Sequence, residues 1–536
     1  MRGLTSSAVV RNGLTLVLLG LGTGCASAPP VVDPNREIDP PAAWTAADPS
    51  EAAPGETASS DADASASEVD TNKPWWTSFG VTDLDAILEE ALEHNHDLRA
   101  AAAAVDAAVA QARIAGATLK PQVSAGLDAA RRQQVFVGLP IPGQSGPLKS
   151  LSSSYGASLN VSWEPDLWGR LRAGRAAAQS DAEAARADYE AARLSLAGQA
   201  AKAWFSVTEA EHQVQLATET LASRTSTADR IAARYRRGVT SPLDLRLARS
   251  NRAQAEASLE LRKRGLDATR RQLEVLLGRY PSGRVGSETD APLIELPKVP
   301  AAIPVGLPAE LVTRRPDLLA SEDRLAAAGL RVKEARRALY PRLTLTGSGG
   351  TSSDSLSDLV DGDFSVWNLA GSLLQPLFQG GRLRAAVELA EASQERILAQ
   401  HVQGVLRAFA EVETALAAER LLAAEEAAQA TATEEAKAAS RLAEDRYLAG
   451  VGDYLTILES QRQAFSNESR LLTVRNQRLS NRVDLHLALG GDFGAATQSA
   501  TESVSETANP SGTATSDPTE PTEPSAASSS SAQEGR

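Results

Sequence analysis

The sequence predicts a mainly α-helical, internally duplicated chain that also lends four strands to a membrane β-barrel shared between copies. Three observations predict it. The phrase RYRRGVTSPLDL at 234–245 returns as RYLAGVGDYLTI at 446–457, 212 positions later, with Arg, Tyr, Gly, Val and Leu in register. Residues 170–234 contain no proline; at about 1.5 Å per residue they would make a helix roughly 100 Å long. Two tracts in each half alternate apolar with polar side chains, the period of a strand. Four strands cannot close a membrane barrel, whose known examples start near eight, and lipid excludes an open sheet edge. If these strands lie in a membrane, several chains must contribute to one barrel, and three would give twelve strands.

The N-terminus reads as an address. Arg2 and Arg11 precede the apolar run Leu14–Leu21, and Gly22-Thr23-Gly24-Cys25 follows. A charged region, a short hydrophobic region and a small-residue cleavage zone make a signal, and the run is too short to span a bilayer. Residues 1–24 are the expected signal. Residues 25–73, with stretches such as AADPSEAAPGETASSDADASASE, hold too little apolar surface to fold and are expected to form a disordered tether; 493–536 read the same way.

Between these tails the body is two similar halves, 74–280 and 308–492, joined by 281–307. Lys120-Pro121-Gln122 answers Tyr340-Pro341-Arg342 at an offset of 220, while Gly169-Arg170 answers Gly381-Arg382 at 212. Each half opens with an Ala-rich helical segment, 83–118 or 308–338, which ends before Pro121 or Pro341 because proline bars continuation. A β-hairpin region follows, 121–168 or 341–380. Val123, Ala125 and Leu127 alternate, then Tyr155, Ala157, Leu159, Val161 and Trp163; in the second half Leu343 and Leu345, then Trp367, Leu369 and Leu373.

After Gly169 and Gly381 the period changes. Val402, Val405, Phe409, Val412 and Leu416 step by three and four, and Leu259, Leu266 and Leu273 by seven, which are coiled-coil seams. The echoed phrase is the turn between antiparallel helices, with tips at 236–243 and 449–455. Gly238 and Gly450 suit a left-handed helix C-terminus, and Pro242 suits the first turn of the return helix.

Composition excludes several function classes. The formal charge of -14 lies mostly in the tails: residues 26–73 carry ten acidic and two basic side chains, and 495–536 six and one. The body is close to neutral and shows no basic face for nucleic acid. Cys25 is the single cysteine, so no intrachain disulfide forms, and His94, His96, His212, His401 and His486 are too dispersed for a metal site. No nucleophile–base pair appears, so no catalytic, cofactor-binding or metal residue is assigned.

With its duplicated frame the chain resembles the TolC-like outer-membrane efflux family, in particular the lipoprotein branch serving resistance–nodulation–division pumps. The motifs that carry the resemblance include WEPDLWGRLRAGRAAA, ARYRRGVTSPLDL, LVTRRPDLLASEDRLAAA, YPRLTLTGSGG, QPLFQGGRLRAAVELAEA and DRYLAGVGDYLTILESQRQAF, and they span about residues 74–491. The resemblance implies a homotrimer with a twelve-stranded β-barrel in the outer membrane and a long α-helical barrel in the periplasm. It implies a passive duct for small molecules that joins a periplasmic adaptor (membrane fusion) protein and an inner-membrane transporter. It also implies that Cys25 is lipidated and held in outer-membrane lipid. Gly22 stands where the usual lipidation pattern has an aliphatic residue, and cleavage after Ala28 is the alternative, disfavoured by Pro29.

Carried over by position, the adaptor-docking or gate residues are Arg236, Arg237, Gly238, Val239, Thr240, Ser241, Pro242, Leu243 and Asp244 at the first tip. At the second they are Gly450, Val451, Asp453, Tyr454 and Leu455. Three copies of Asp453 would form an acidic ring, and Arg236, Arg237 or Arg446 would pair with Asp453 or Asp244 to hold the tip shut. Family members often carry the acid directly after Gly-Val, where this chain has Gly452. A protein-secretion exit duct of the same fold and a poreless periplasmic coiled-coil scaffold are the competing readings.

Overall fold

A computed structural model describes residues 44–46, 74–136, 148–285, 295–300 and 308–491. One unit comprises 1–59 and 76–491; of a second, 60–75 with 492–536, only Pro74 and Trp75 are described. The first unit contains α1 (Thr82–His94), α2 (His96–Ala117), β1 (Gln122–Phe136), β2 (Leu148–Trp163), α3 (Arg170–Arg236) and α4 (Pro242–Leu276). It continues with α5 (Pro308–Arg314), α6 (Pro316–Arg337), β3 (Arg342–Ser353), β4 (Ser365–Leu374), α7 (Arg382–Leu448) and α8 (Tyr454–Ala488).

The four strands form one antiparallel sheet in the order β1-β2-β3-β4. Its register is unbroken, so odd-numbered residues share one face and even-numbered residues the other. The odd face carries Val123, Leu127, Leu159, Trp163, Trp367, Leu369 and Leu373, all exposed in the single chain. The even face carries Ser124, Ser150, Ser154, Asn160, Thr344, Ser348 and Asn368, with Val366 and Leu374 as exposed apolar exceptions. A sheet that is apolar on one face and hydroxyl-lined on the other suits lipid outside and water inside. Trp163 and Trp168 donate their indole N–H to Leu119 O and Pro341 O at the foot of the sheet, at 3.0 and 2.7 Å. Aromatics with one polar end belong at such a boundary.

From the sheet the chain turns into each long helix through a left-handed glycine, Gly169 (φ 79°) or Gly381 (φ 83°). The helices that follow, α3 and α7, have 67 residues each, about 100 Å. The return helices α4 and α8 have only 35. Each is continued by the helical segment that opens its own half. Asn95 Nδ2 donates to Leu276 O at the end of α4 at 2.9 Å, and Arg315 Nη1 donates to Ala488 O at the end of α8 at 3.2 Å. So α4 meets α2 end to end, α8 meets α6, and each composite nearly matches a long helix in length.

That junction places a break inside each of the helical segments expected over 83–118 and 308–338. Asn95 is extended and caps α2 by accepting from the N–H of Asp97 and Leu98. Arg315 precedes Pro316, whose ring disfavours a helical predecessor, and is extended too. A buried hub results. Arg315 binds Asp317 through both carboxylate oxygens, Glu411 Oε2 at 2.7 Å and the Ala488 carbonyl.

Sideways, α3 packs on α2 and α4 on one flank and on α6 and α8 on the other, and α7 packs on α6 and α8. The seam predicted on α7 is partly right: Val405 and Val412 are buried, while Phe409 faces the expected tether. Residues 25–73 were expected to be without structure, yet Trp44 is buried and sits edge-on to Phe409 at 6.0 Å. Thr45 N, Thr45 Oγ1 and Ala46 N all donate to the Glu413 carboxylate at 2.7–2.8 Å. The Trp44 ring, the Thr45 hydroxyl and two backbone N–H groups hold residues 44–46 against α7.

Candidate functional site: the paired helix tips

The two tips are built alike. At the first, Val239 N donates back to Arg234 O at 3.0 Å and Gly238 N to Tyr235 O at 2.9 Å. At the second, Val451 N reaches Arg446 O at 3.0 Å and Gly450 N reaches Tyr447 O at 3.0 Å. This double closure needs a left-handed residue, supplied by Gly238 (φ 75°) and Gly450 (φ 79°). Each return helix then starts on an acceptor. Ser241 Oγ accepts from Asp244 N at 3.1 Å, and Asp244 Oδ2 accepts from Thr240 Oγ1 at 2.6 Å and Ser241 N at 3.4 Å. Asp453 Oδ1 accepts from Thr456 N and Thr456 Oγ1 at 2.7 and 2.6 Å, which holds its carboxyl below the usual range.

The expected charge clamp is absent within the chain. Among the described residues no ion pair joins Arg236, Arg237 or Arg446 to Asp244 or Asp453. The physical reason is local: a helix start presents unpaired N–H groups, and the nearest carboxylate caps them. What fastens the two hairpins is an apolar core. Tyr447, Tyr454 and Ile457 from the second hairpin pack with Ala228, Ile231, Leu245 and Ala248 from the first. The tyrosine rings lie 5.9 Å apart, and the Arg234 guanidinium sits 5.0 Å from the Tyr447 ring centroid. Tyr447 OH also lies 3.3 Å from Thr240 Oγ1, and Arg230 pairs with Glu444 at 2.6 Å.

Tyr454 is therefore misplaced among the docking residues. It is 4% exposed, and burial pushes its phenol up; it is the pin between the hairpins. Sequence reasoning missed Ile231, Leu245, Tyr447 and Ile457. The signal was available in the heptad positions just before and after each glycine turn. Arg236, Arg237, Gly238, Val239, Ser241, Gly450, Val451, Asp453 and Leu455 are exposed. Val239, Leu243, Val451 and Leu455 make two matching apolar knobs, each 60–68% exposed. Cys25 lies outside the described residues.

A four-stranded sheet with a lipid-type face, carried on two helical hairpins with bare apolar tips, defines an outer-membrane channel subunit. The profile described as outer membrane efflux protein matches residues 87–279 and 307–491, and the chain belongs to that family. It is 33% identical over 483 residues to the pyoverdine export outer membrane protein OpmQ of Pseudomonas putida, covering 90% of this chain and 98% of that one. It is 34% identical over 424 residues to outer membrane protein OprJ of Pseudomonas aeruginosa, covering 78% and 86%. The solved outer-membrane channel OprN superposes with a TM-score of 0.71 at 27% identity, covering 82% of this chain and 99% of that one. The fold is TolC-like, and the protein is an outer-membrane efflux channel component.

Proposed function

We propose that three copies of this chain close into one continuous duct, which exports small molecules delivered by a periplasmic adaptor and an inner-membrane resistance–nodulation–division pump. The observation that carries the reading is where the chain is left open. The sheet ends on the unpaired edges of β1 and β4. The helical layer ends on α2 and α4 at one side and on α7 at the other. Exposed large apolar side chains of the helical shafts fall almost wholly on those same helices. They are Ile114 on α2, Leu261 and Val275 on α4, and Leu389, Leu406, Leu421 and Leu442 on α7; Leu319 on α6 is the exception, and α3 and α8 carry none away from the tips. Such edges match each other head to tail, and a head-to-tail contact closes into a ring. Three chains make twelve strands, and no lipid-exposed edge is left.

The duct's outer end lies in the outer membrane, and lipidation of Cys25 would tie the chain to the inner leaflet. Residues 26–43 could span about 60 Å if extended. The helices down to Glu413 descend only about 45 Å below the sheet, so the tether reaches its clasp with slack. At the periplasmic end the knobs of Val239, Leu243, Val451 and Leu455 offer apolar contact to the adaptor, framed by Arg236 and Arg237. Relatives named for pyoverdine export and for toluene efflux favour small molecules over a secreted protein as cargo.

In-cell photo-crosslinking from Ser241 and Val451 tests this reading. An adaptor of a resistance–nodulation–division pump is the expected capture. A type I secretion adaptor would transfer the cargo to proteins. Absence of any periplasmic partner from trimers in the outer membrane would refute tip docking.

A further inference from the structure

The loop between β3 and β4 takes a course that the channel function does not explain. It runs through two short 3₁₀ turns, Leu356–Val360 and Gly362–Phe364. Thr351 Oγ1 donates to Leu359 O and Ser353 Oγ donates to Asp358 Oδ2, both at 2.8 Å. Thr351 and Ser353 are odd-numbered, so their hydroxyls point from the apolar face of the sheet. Burial agrees. Ser353 is buried while Ser352 is exposed, and on the neighbouring strand Ser153 and Tyr155 are half-buried while Ser152 and Ser154 are exposed. The loop is thus folded over the outside of the wall, away from the hydroxyl-lined face.

Its height is fixed by the strand beneath it. β3 has 12 residues. At about 3.3 Å per residue and a tilt of about 40°, its last residue stands roughly 28 Å above its first, near the top of a lipid-facing band some 25 Å tall. The loop exposes apolar groups at this level: Val360 is 95% exposed and Leu356 65%. In water these side chains would be bare. On the same face the strands turn mixed here, with Leu151 among Arg131, Gln133 and Lys149, as at the rim of an apolar band.

We infer that the β3–β4 loop is a lipid collar: Leu356 and Val360 seat in the acyl–headgroup boundary of the outer leaflet, holding the loop against the outer wall and clear of the exit. The occupant is lipid because the patch stands at the rim of the apolar face, above Trp367 and Leu369, and because interfacial insertion favours a few bare aliphatic groups next to polar ones. Asp354, Asp361 and Asp363 flank them and are exposed, while Asp358, between them, accepts from Ser353 and Ser357. The inference rests on the odd face being the lipid face, as the duct reading has it.

The test is nitroxide labelling of Val360→Cys, Leu369→Cys and Val239→Cys in the full-length protein, reconstituted in phosphatidylethanolamine–phosphatidylglycerol vesicles. Wild-type protein with its single Cys25 sets the background. Accessibility is read with oxygen, which partitions into lipid, and with a water-soluble nickel chelate. The collar predicts that Val360 resembles Leu369 in the oxygen-to-nickel ratio and exceeds Val239 several-fold. A nickel-accessible Val360 beside a lipid-accessible Leu369 overturns the collar alone. Inaccessibility of Val360 to both probes means that protein covers it, and also overturns the collar. A nickel-accessible Leu369 would overturn the barrel assignment and the collar with it. Leu356→Asp with Val360→Asp should move the loop into water, making its chain cleavable by externally added protease while conductance persists.

Discussion

Tyr454→Ala should unfasten the tips without unfolding the shafts. The ring is 4% exposed and touches the core shared by both hairpins. An aromatic ring buries about 150–200 Å²; at about 25 cal/mol per Å² its removal costs roughly 4–5 kcal/mol. Partial collapse of the cavity recovers some of this, leaving about 3 kcal/mol, or about a hundredfold in the local opening equilibrium. Because the core is confined to 228–248 and 443–457, the loss should stay there. Hydrogen exchange of the purified protein reads it directly. Amides near Ile231, Leu245 and Ile457 should exchange about a hundredfold faster, with those of α3 near Phe205 unchanged. Tyr454→Phe, which keeps the ring, should lie close to wild type. Tip protection within threefold of wild type in Tyr454→Ala would refute the view that this core joins the hairpins.

Other outcomes follow from single groups. Glu274 is buried and accepts from Ser282 Oγ and the N–H of Gly283, Arg284 and Val285; these donors outweigh the burial that opposes its charge and lower its pKa. Glu274→Gln turns an N–H toward those donors, at a cost of about 3 kcal/mol, and limited proteolysis should cut near 281–285 first. Burial, with Arg482 nearby, lowers the His486 pKa from 6.5 to about 4. The folded state therefore favours neutral His486, so its contribution is intact above pH 6.5 and is lost as pH falls toward 4. Heat stability of the protein should decline across that window, and His486→Gln should flatten the decline. Asp453→Ala removes a cap worth about 1 kcal/mol; single-channel recording should show a change in conductance if three Asp453 line the constriction, and none if the residue only caps α8. Arg315→Ala strips partners from Asp317, Glu411 and Ala488 O together, and the melting temperature followed by circular dichroism should fall.

Much of this was legible because repetition carries physical content. A phrase that recurs with its glycine in the same place reports the same turn twice, and Gly238 and Gly450 both adopt the left-handed conformation it requires. Period-two tracts reported four strands because one face of each is apolar. Three things escaped. The helix breaks at Asn95 and Arg315 lie within helical composition, and each needs a partner far along the chain, at Leu276 or Ala488. The docking of Trp44 depends on Phe409 and Glu413, more than 360 residues away. The tip aspartates looked like half of an ion pair because sequence shows charge but not the unpaired N–H groups beside it.

The two halves share a plan but not a bonding pattern, and the difference bears on how the tip could move. Hairpin α7–α8 is cross-braced along its length: Lys437–Glu468, Arg470–Glu425, Arg475–Glu426, Arg478–Glu426 and Arg482–Glu419 lie at 2.6–3.1 Å. Hairpin α3–α4 has one such brace, Arg270–Glu211 at 2.8 Å. Single exposed pairs contribute little, but Glu426 bridges two arginines and Arg478 also approaches Glu419, so these braces form a network. Between the hairpins Lys202 pairs with Asp484, and a polar cluster at mid-shaft joins Glu209 to Thr473 and Asn476 and, one turn lower, Ser469 to Gln213 and Arg262. Below Ser469 the cross-hairpin contacts include the tip core, Arg230–Glu444, the Arg234 guanidinium on Tyr447 and the Thr240–Tyr447 contact. A force at the knobs would therefore part the hairpins at Tyr447 and Tyr454 before it opened α7 from α8, with the second hairpin swinging about the level of Ser469.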